Sequence, residues 1–510
     1  MRVYSSQFSC TRITLLAASF VVFLAGCVRW SEQGGSLPWV STFNLLDPVA
    51  VAFYRESNKL SVDARNYPSQ VSRVQVAPQT TFVVAASGGG TRAEAFTLGV
   101  LAGLEEIELE IDSRSGRLLD EIDYFSTVSG GGWGTALYLS DRSEHGSKQF
   151  SETYSLLSRR DLVREKVVKL HTRDGWPLLR PAVGCLASRF RTATNDLTLD
   201  ELFDEPPTLP YQFANAGFIQ SQSPFVLSKE FVEFFKVEML HQCEGEERIA
   251  VDRDWRRIPL ATAVTISSSI APWQDAYATT SLCTPPTPLN YHESQQCRHI
   301  DGEKHSYIEL VDGGIYDNRG YLTALDILRT VDTEHKVLLV IDSSATVDRW
   351  IEEEDPAKDP TYIKAVLDAG FPARSREFER EAHRRAAEVG ASILVLDFAS
   401  ASGAFPAGDE YSQLRSVMNK IKCWHPDTEQ STLGSYKEPE DGNLQLSEDC
   451  RLNNAWRAGA SIRTDYIVYR DGDSPQWDAA FELGLFVTRK NRDKILLSFF
   501  GNVSRISAVK

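Results

Sequence analysis

Three short segments of the chain carry residue types suited to work on a carbonyl group: Ser-Gly-Gly-Gly-Thr-Arg at 87–92, Thr-Val-Ser-Gly-Gly at 127–131 and Val-Asp-Gly-Gly at 311–314. A serine hydroxyl is a poor nucleophile at neutral pH and must be exposed, held rigidly and given a base. A sharp strand-to-helix turn does the first two, because only small residues fit around it and the helix amino terminus aims amides and a positive dipole end at the site. Ser129, followed by Gly130 and Gly131, suits such an elbow. Attack on an ester carbonyl puts negative charge on its oxygen, and amides already aimed there stabilise that charge without reorganising. Gly88, Gly89 and Gly90, with Thr91 opening the next helix, are the candidate donors, and Arg92 is placed to brace the loop or reinforce its positive potential. Asp312 is the candidate base; a free aspartate titrates near ~3.9, and partial burial beside Ser129 would raise that value. Together these groups point to acyl transfer. Taken singly each has a plainer reading: a glycine-rich turn at 129, a β-turn at 312, and a phosphate loop or a purely structural turn at 88–90. The Lys-Ser/Thr of a Walker loop and the GxGxxG of a dinucleotide loop are both missing there.

The elements that must position these groups are legible as alternating apolar runs. Thr81–Ala86 reads as a buried strand that stops at the three glycines, and Thr91–Glu106 as a helix with Ala95, Leu98, Leu101 and Ala102 on one face. Ile122–Val128 repeats the pattern, breaking at 129–132 and re-forming as a helix through Ala136, Leu137 and Leu139. Leu260–Ile266, Tyr307–Val311, Val337–Ile341 and Ile393–Leu396 are further strand-like runs. Such alternation predicts an α/β fold, a largely parallel sheet with helices on both faces. Two stretches read as insertions. Residues 159–191 hold nine Lys or Arg against three acids, and 402–455, with Pro406, Pro426, Pro439, several glycines and the Cys423/Cys450 pair, read as a long stapled loop. The basic stretch, with Trp176, Leu178 and Leu179, is either an interfacial cap for anionic headgroups or a solvated helix and loop.

With their order and their spacing, 41 residues from Gly88 to Ser129 and 183 from Ser129 to Asp312, the three segments resemble those of the patatin-like phospholipases over roughly residues 80–345. SGGGTR matches the family's glycine-rich oxyanion motif, TVSGG its nucleophile elbow and VDGGIYDNRG its aspartate motif, while Ala261–Trp273 is similar to its Ala/Ser-rich strand and Pro-containing turn. The resemblance implies a three-layer α/β/α sandwich and a Ser129–Asp312 dyad. It also implies lipid acyl ester hydrolysis of the phospholipase A or lysophospholipase type through an acyl-enzyme. No metal or other cofactor is expected, and no ligand cluster suggests calcium. The sequence departs from the pattern at Thr127, where G-x-S-x-G has glycine, at Ser87 in place of a frequent aspartate, and at Ala93 where glycine is common. Asp317 and Asn318 are expected to shape the loop after Asp312, and His305 to be a surface or loop residue rather than the third member of a triad. Other classes left open are an idle lipid-binding module, a structural envelope lipoprotein, and a short-chain esterase or acyltransferase.

The ends and composition bound the rest. Arg2 and Arg12 precede an apolar Ile13–Ala25, too short for a comfortable span, and Leu24-Ala25-Gly26-Cys27 resembles a bacterial lipobox in which Cys27 receives lipid. An ordinary signal peptide with an incidental cysteine and an uncleaved anchor are the other readings. Val28 after the cysteine favours the outer membrane, facing the periplasm. Six further cysteines (185, 243, 283, 297, 423, 450) allow three disulfides, of which 283–297 and 423–450 would staple loops; six buried thiols are the alternative. A net charge of −16 argues against nucleic acid as a partner and leaves membrane lipid as the expected one. The expected organisation is a signal at 1–26, a tether and leader at 27–78, a catalytic domain at 79–400 with an insertion at 159–206, and a C-terminal extension at 401–510.

Overall fold

Strand and helix alternate from Thr80 onward in the computed structural model because the apolar runs are short, β-branched and closed by glycine. The structure describes residues 60–67, 77, 79–111, 114–145, 155–172, 187, 191–203, 209–218, 223–241, 249–251, 254–269, 276–280, 306–343, 380–397 and 475–500. Cys27 and the other cysteines, His305 and the 402–455 loop lie outside them. All described residues belong to one compact unit, Leu60–Cys283 with Cys297–Lys510.

Five strands run parallel side by side: β12 (Ala391–Asp397), β11 (His335–Asp342), β1 (Thr80–Ala86), β4 (Ile122–Val128) and β5 (Tyr211–Phe218). Beyond β5 the same sheet continues antiparallel through β10 (Ser306–Asp312), β9 (Ala276–Thr280), β7 (Val237–His241) and β8 (Ile249–Ala250), with β6 (Ser223–Val226) also on β5. A separate hairpin pairs β2 (Glu108–Ile111) with β3 (Arg114–Arg117). The sheet is therefore parallel at its centre and antiparallel on one flank, and β1, β4 and β5 are buried along their whole length. This is the continuous apolar signature of strands covered on both faces.

Helices α1 (Gly90–Glu105) and α2 (Ser129–His145) follow β1 and β4 directly and pack on each other. Alternate residues of β4 mark the two layers. Thr127 meets Gly132 of α2, whereas the Ser126 hydroxyl donates to the carbonyl of Gly320, the residue that opens helix α7 (Tyr321–Thr330) on the other side. Residues 60–67 dock beside α7: the Ala64 amide donates to Thr330, and Tyr67 donates to Glu230 on α4 (Lys229–Phe234).

One expected strand is a helix. Leu260–Ser267 forms α5, buried at every residue and packed between α2 and strands β5 and β10. A run of eight small, apolar and hydroxyl residues with no charged face gives little to reveal its period, so strand and buried helix look alike in sequence. Pro259 before its first turn, and the Thr265 hydroxyl bonding back to the Ala261 carbonyl, belong to the helix.

The basic stretch is described in part; Trp176, Leu178 and Leu179 lie outside the described residues. Its described part, α3 (Arg160–Thr172), faces acids of the protein itself. Arg160 pairs with Asp478 and Glu482, Arg164 with Asp478, and Arg159 with Asp141. Asp478 and Glu482 lie on α8 (Pro475–Lys490), which precedes α9 (Arg492–Phe500). These three arginines are thus paired within the fold.

Helix α8 lies tightly along α1, the helix that opens at the triple glycine. A Cβ on Gly99 would sit 1.9 Å from the Phe481 carbonyl oxygen, one on Gly103 2.5 Å from the Thr488 side chain, and one on Gly484 2.3 Å from the Phe96 carbonyl oxygen. Small residues four apart on both helices let the backbones touch, and Trp477 and Phe481 stack beside them. Gly99→Ala should gain about 1 kcal/mol of helix propensity and still lose roughly 2–3 kcal/mol net, because the two backbones must separate; urea unfolding reads the difference.

Candidate active site

The register of the sheet brings Ser129 and Asp312 together. Val128, the last residue of β4, pairs with Asn215 of β5, and the next residue of β5, Ala216, pairs with Asp312, the last residue of β10. Two strands arriving from opposite directions therefore end beside each other. At Ser129 the chain turns straight into α2 with φ +49°, a left-handed conformation that a non-glycine residue adopts only where its surroundings enforce it. Gly130 provides that enforcement by lying against the triple-glycine turn, where a Cβ would come within 1.9 Å of the Gly90 carbonyl oxygen. The Ser129 amide is held by the Ser267 hydroxyl at 3.0 Å.

The Ser129 side chain lies close enough to the Asp312 carboxylate to favour its charged form. Both residues are buried, 5% and 7% exposed. Burial pushes Asp312 up to about 6, against the opposing pull of the Gly314 amide, 2.7 Å from Oδ1, and of Ser129. A carboxylate in that range holds a proton far better than a free aspartate and still ionises at neutral pH, which suits general-base work.

The glycine turn closes the third side. Gly89 and Gly90 have φ +148° and +60°, conformations open to glycine at little cost, and neither amide has a protein acceptor among the described residues. Gly88 differs from expectation: its amide donates to the Asn318 carbonyl at 2.9 Å, so it is not available to an oxyanion. What Gly88 supplies is space, since a Cβ there would stand 2.4 Å from Asn318 Oδ1 and 3.4 Å from Ser129 Cβ. Gly88→Ala should push the turn away from Ser129 and lower turnover of an ester substrate roughly 100-fold, in a steady-state assay at unchanged folded content. Thr91 is buried in the first turn of α1. The Arg92 side chain, 2% exposed, reaches within 3.5 Å of where a Gly89 Cβ would be, bracing the turn from within.

These three pieces lie inside a recognisable stretch: residues 84–325 match the model of the patatin-like phospholipase family. The chain carries a patatin-like phospholipase domain. Human GIVD cytosolic phospholipase A2 is a structural neighbour at 13% identity and TM-score 0.43, over 90% of this chain and 66% of that one. The same enzyme in complex with methyl gamma-linolenyl fluorophosphonate matches at 14% identity and TM-score 0.34, over 90% and 63%. The chain thus spans less than two thirds of these structures. No curated protein matches it.

Within the patatin-like domain the departures from the family pattern are accommodated by hydrogen bonds. Thr127 is fully buried; its hydroxyl donates to the Phe213 carbonyl at 3.2 Å and accepts from Gln212 Nε2 at 2.9 Å, while Gln212 also reaches the Gly132 carbonyl. A β-branched residue at the elbow is therefore tied to β5 and α2 rather than crowding them. Ser87 pairs with Ser343 Oγ at 2.9 Å and accepts from its amide, joining the ends of β1 and β11. Asp317 shapes the loop as expected. It is buried, and its carboxylate receives the amides of Arg319 and Leu322 at the start of α7. Asn318 does more than shape the loop, because its carbonyl and Oδ1 face the glycine turn while Oδ1 also lies 2.6 Å from where a Gly314 Cβ would be. No group of three metal-ligating side chains, and no helix long and apolar enough to cross a membrane, occurs among the described residues.

Proposed function

We propose that the protein is a lipid acyl hydrolase of the phospholipase A or lysophospholipase type, working through a Ser129–Asp312 dyad. The patatin-like phospholipase domain supports lipid acyl hydrolysis in general; the register that brings Ser129, at the end of β4, beside a buried, proton-holding Asp312 carries the mechanism. Asp312 takes the hydroxyl proton as Ser129 Oγ attacks the ester carbonyl, and the carbonyl oxygen becomes negative against the amides of Gly89 and Gly90. The Asp312 proton then passes to the leaving alcohol, freeing lysolipid or glycerol derivative and leaving the acyl group on Ser129. Water enters, gives its proton to Asp312, and its oxygen displaces Ser129, which recovers the proton as the fatty acid leaves. The same reading places the protein on the outer membrane facing the periplasm, held by lipid on Cys27 and acting on membrane lipid. Incubation with phosphatidylethanolamine and lysophosphatidylethanolamine vesicles, with released fatty acid measured by mass spectrometry, tests the substrate class. Turnover of p-nitrophenyl butyrate with none of either vesicle would replace it with a short-chain esterase. Cys27→Ser should move the protein from the membrane fraction to the soluble one.

A further inference from the structure

Every catalytic arrangement needs something that fixes the distance between nucleophile and base, and here the two come from strands of opposite direction, so neither helix nor turn does it alone. The residue that touches both is Ser267, the last of α5 and fully buried. Its hydroxyl accepts the Ser129 amide at 3.0 Å. Its backbone carbonyl accepts the Gly313 amide at 3.1 Å, and two residues on the Ser269 carbonyl accepts the Asp312 amide at 2.6 Å. A helix leaves its last carbonyls, like its first amides, without partners inside the helix. The end of α5 therefore has acceptors to give to the aspartate turn, while the start of α2 has a donor that needs an acceptor. Ser267 meets both demands.

The hydroxyl is itself held. It donates to the Asn215 carbonyl, and the Asn215 side chain reaches back to Ser126 Oγ at 3.0 Å and the Thr127 carbonyl at 2.9 Å, on the strand that ends at the nucleophile. With both its donor and an acceptor position used, the hydroxyl cannot swing away from Ser129. Trp133 on α2 adds a second tie, Nε1 donating to Ser268 Oγ at 3.0 Å. We propose that Ser267 is a positioning residue of the dyad, its hydroxyl fixing the Ser129 backbone and its carbonyl the Asp312–Gly313 backbone as one rigid bracket. Ser267 touches no reacting atom. It acts by keeping Ser129 in its left-handed conformation, with Oγ turned to the carboxylate.

The inference rests on the Ser129–Asp312 reading above. Removal of the hydroxyl should misplace the nucleophile by a fraction of an ångström to an ångström, which costs roughly 10- to 100-fold in the chemical step and little in binding. Ser267→Ala and Ser267→Cys, the second keeping the volume with a much weaker acceptor, are assayed on p-nitrophenyl butyrate with concentrations set by the folded fraction from circular dichroism. The expected result is a kcat lower by about 10- to 100-fold, KM within about twofold of wild type, and a matching fall in the rate of fluorophosphonate labelling. A folded variant of either kind with wild-type kcat and labelling rate overturns the inference while leaving the dyad intact. A variant whose KM rises at unchanged kcat overturns it as well, showing a pocket-shaping role. A wild-type protein that neither hydrolyses the ester nor takes up label overturns the dyad reading itself.

Discussion

Ser129→Ala should abolish fatty acid release, lowering turnover by roughly 10⁴-fold or more, while the protein remains folded. The expected loss is large because the proposed reaction has a single nucleophile, which the rest of the site only assists. Alanine fits the same turn, whose left-handed backbone is enforced by Gly130 against Gly90 and by the Ser267 hydroxyl rather than by the Ser129 side chain. Thermal unfolding should therefore shift by only a few degrees. Fatty acid release and the melting temperature, measured on one preparation, separate loss of chemistry from loss of structure. A variant that keeps more than a few per cent of wild-type turnover would mean that Ser129 is no nucleophile.

Asp312→Asn should cost roughly 10³- to 10⁴-fold in kcat, because an amide accepts the Ser129 hydrogen bond without taking its proton. Burial holds the Asp312 carboxyl up to about 6, and only the ionised form is a base. Wild-type kcat/KM should then rise about tenfold per pH unit below that value and level off above it. The variant should show no such limb.

Stability moves the other way. A carboxyl whose folded value is raised above its unfolded one favours folding while it is protonated, and that contribution is lost as pH rises from about 4 to about 6. At neutral pH the ionised group is thus a burden of roughly 2–3 kcal/mol, which Asp312→Asn relieves. The variant should be nearly inactive and at least as resistant to urea as wild type at pH 7.5, with the gap closing toward pH 4. A variant that is both inactive and strongly destabilised at pH 7.5 would make Asp312 a structural residue.

The parts that sequence reveals here are those set by local chemistry. Strand, glycine break and helix at 80–105 and 122–145 follow from short buried runs that end in residues able to turn sharply, and the proposed dyad rests on joint occurrence and order. The parts it hides depend on partners distant in the chain. Leu260–Ile266 has no charged side, only apolar residues and two threonines, so its period shows only in its burial between α2 and the sheet. Tyr211–Phe218, the central strand that carries Asn215, has polar Gln and Asn among its apolar residues and reads as nothing in particular until both are seen bonding to neighbouring strands and helices. The charge of 159–191 fits a headgroup surface or a solvated helix equally well in sequence, and nothing local shows that Arg160 and Arg164 pair with Asp478 and Glu482, more than 300 residues later. Gly88 was a natural donor in a row of three glycines; the Asn318 carbonyl takes its amide. Ser267 carried one signal, its place in a serine run just after an apolar segment, and that signal is indistinguishable from an ordinary helix end.

The central claim is that a hydroxyl made nucleophilic by Asp312 sits at residue 129, and covalent labelling with a fluorophosphonate followed by peptide mass spectrometry tests it most directly. The account predicts one adduct per chain, on the peptide holding Ser129, forming faster as pH rises through about 6, at least 100-fold slower in Asp312→Asn and missing in Ser129→Ala. An adduct on another residue, no adduct at all, or equal labelling of wild type and Asp312→Asn would contradict it.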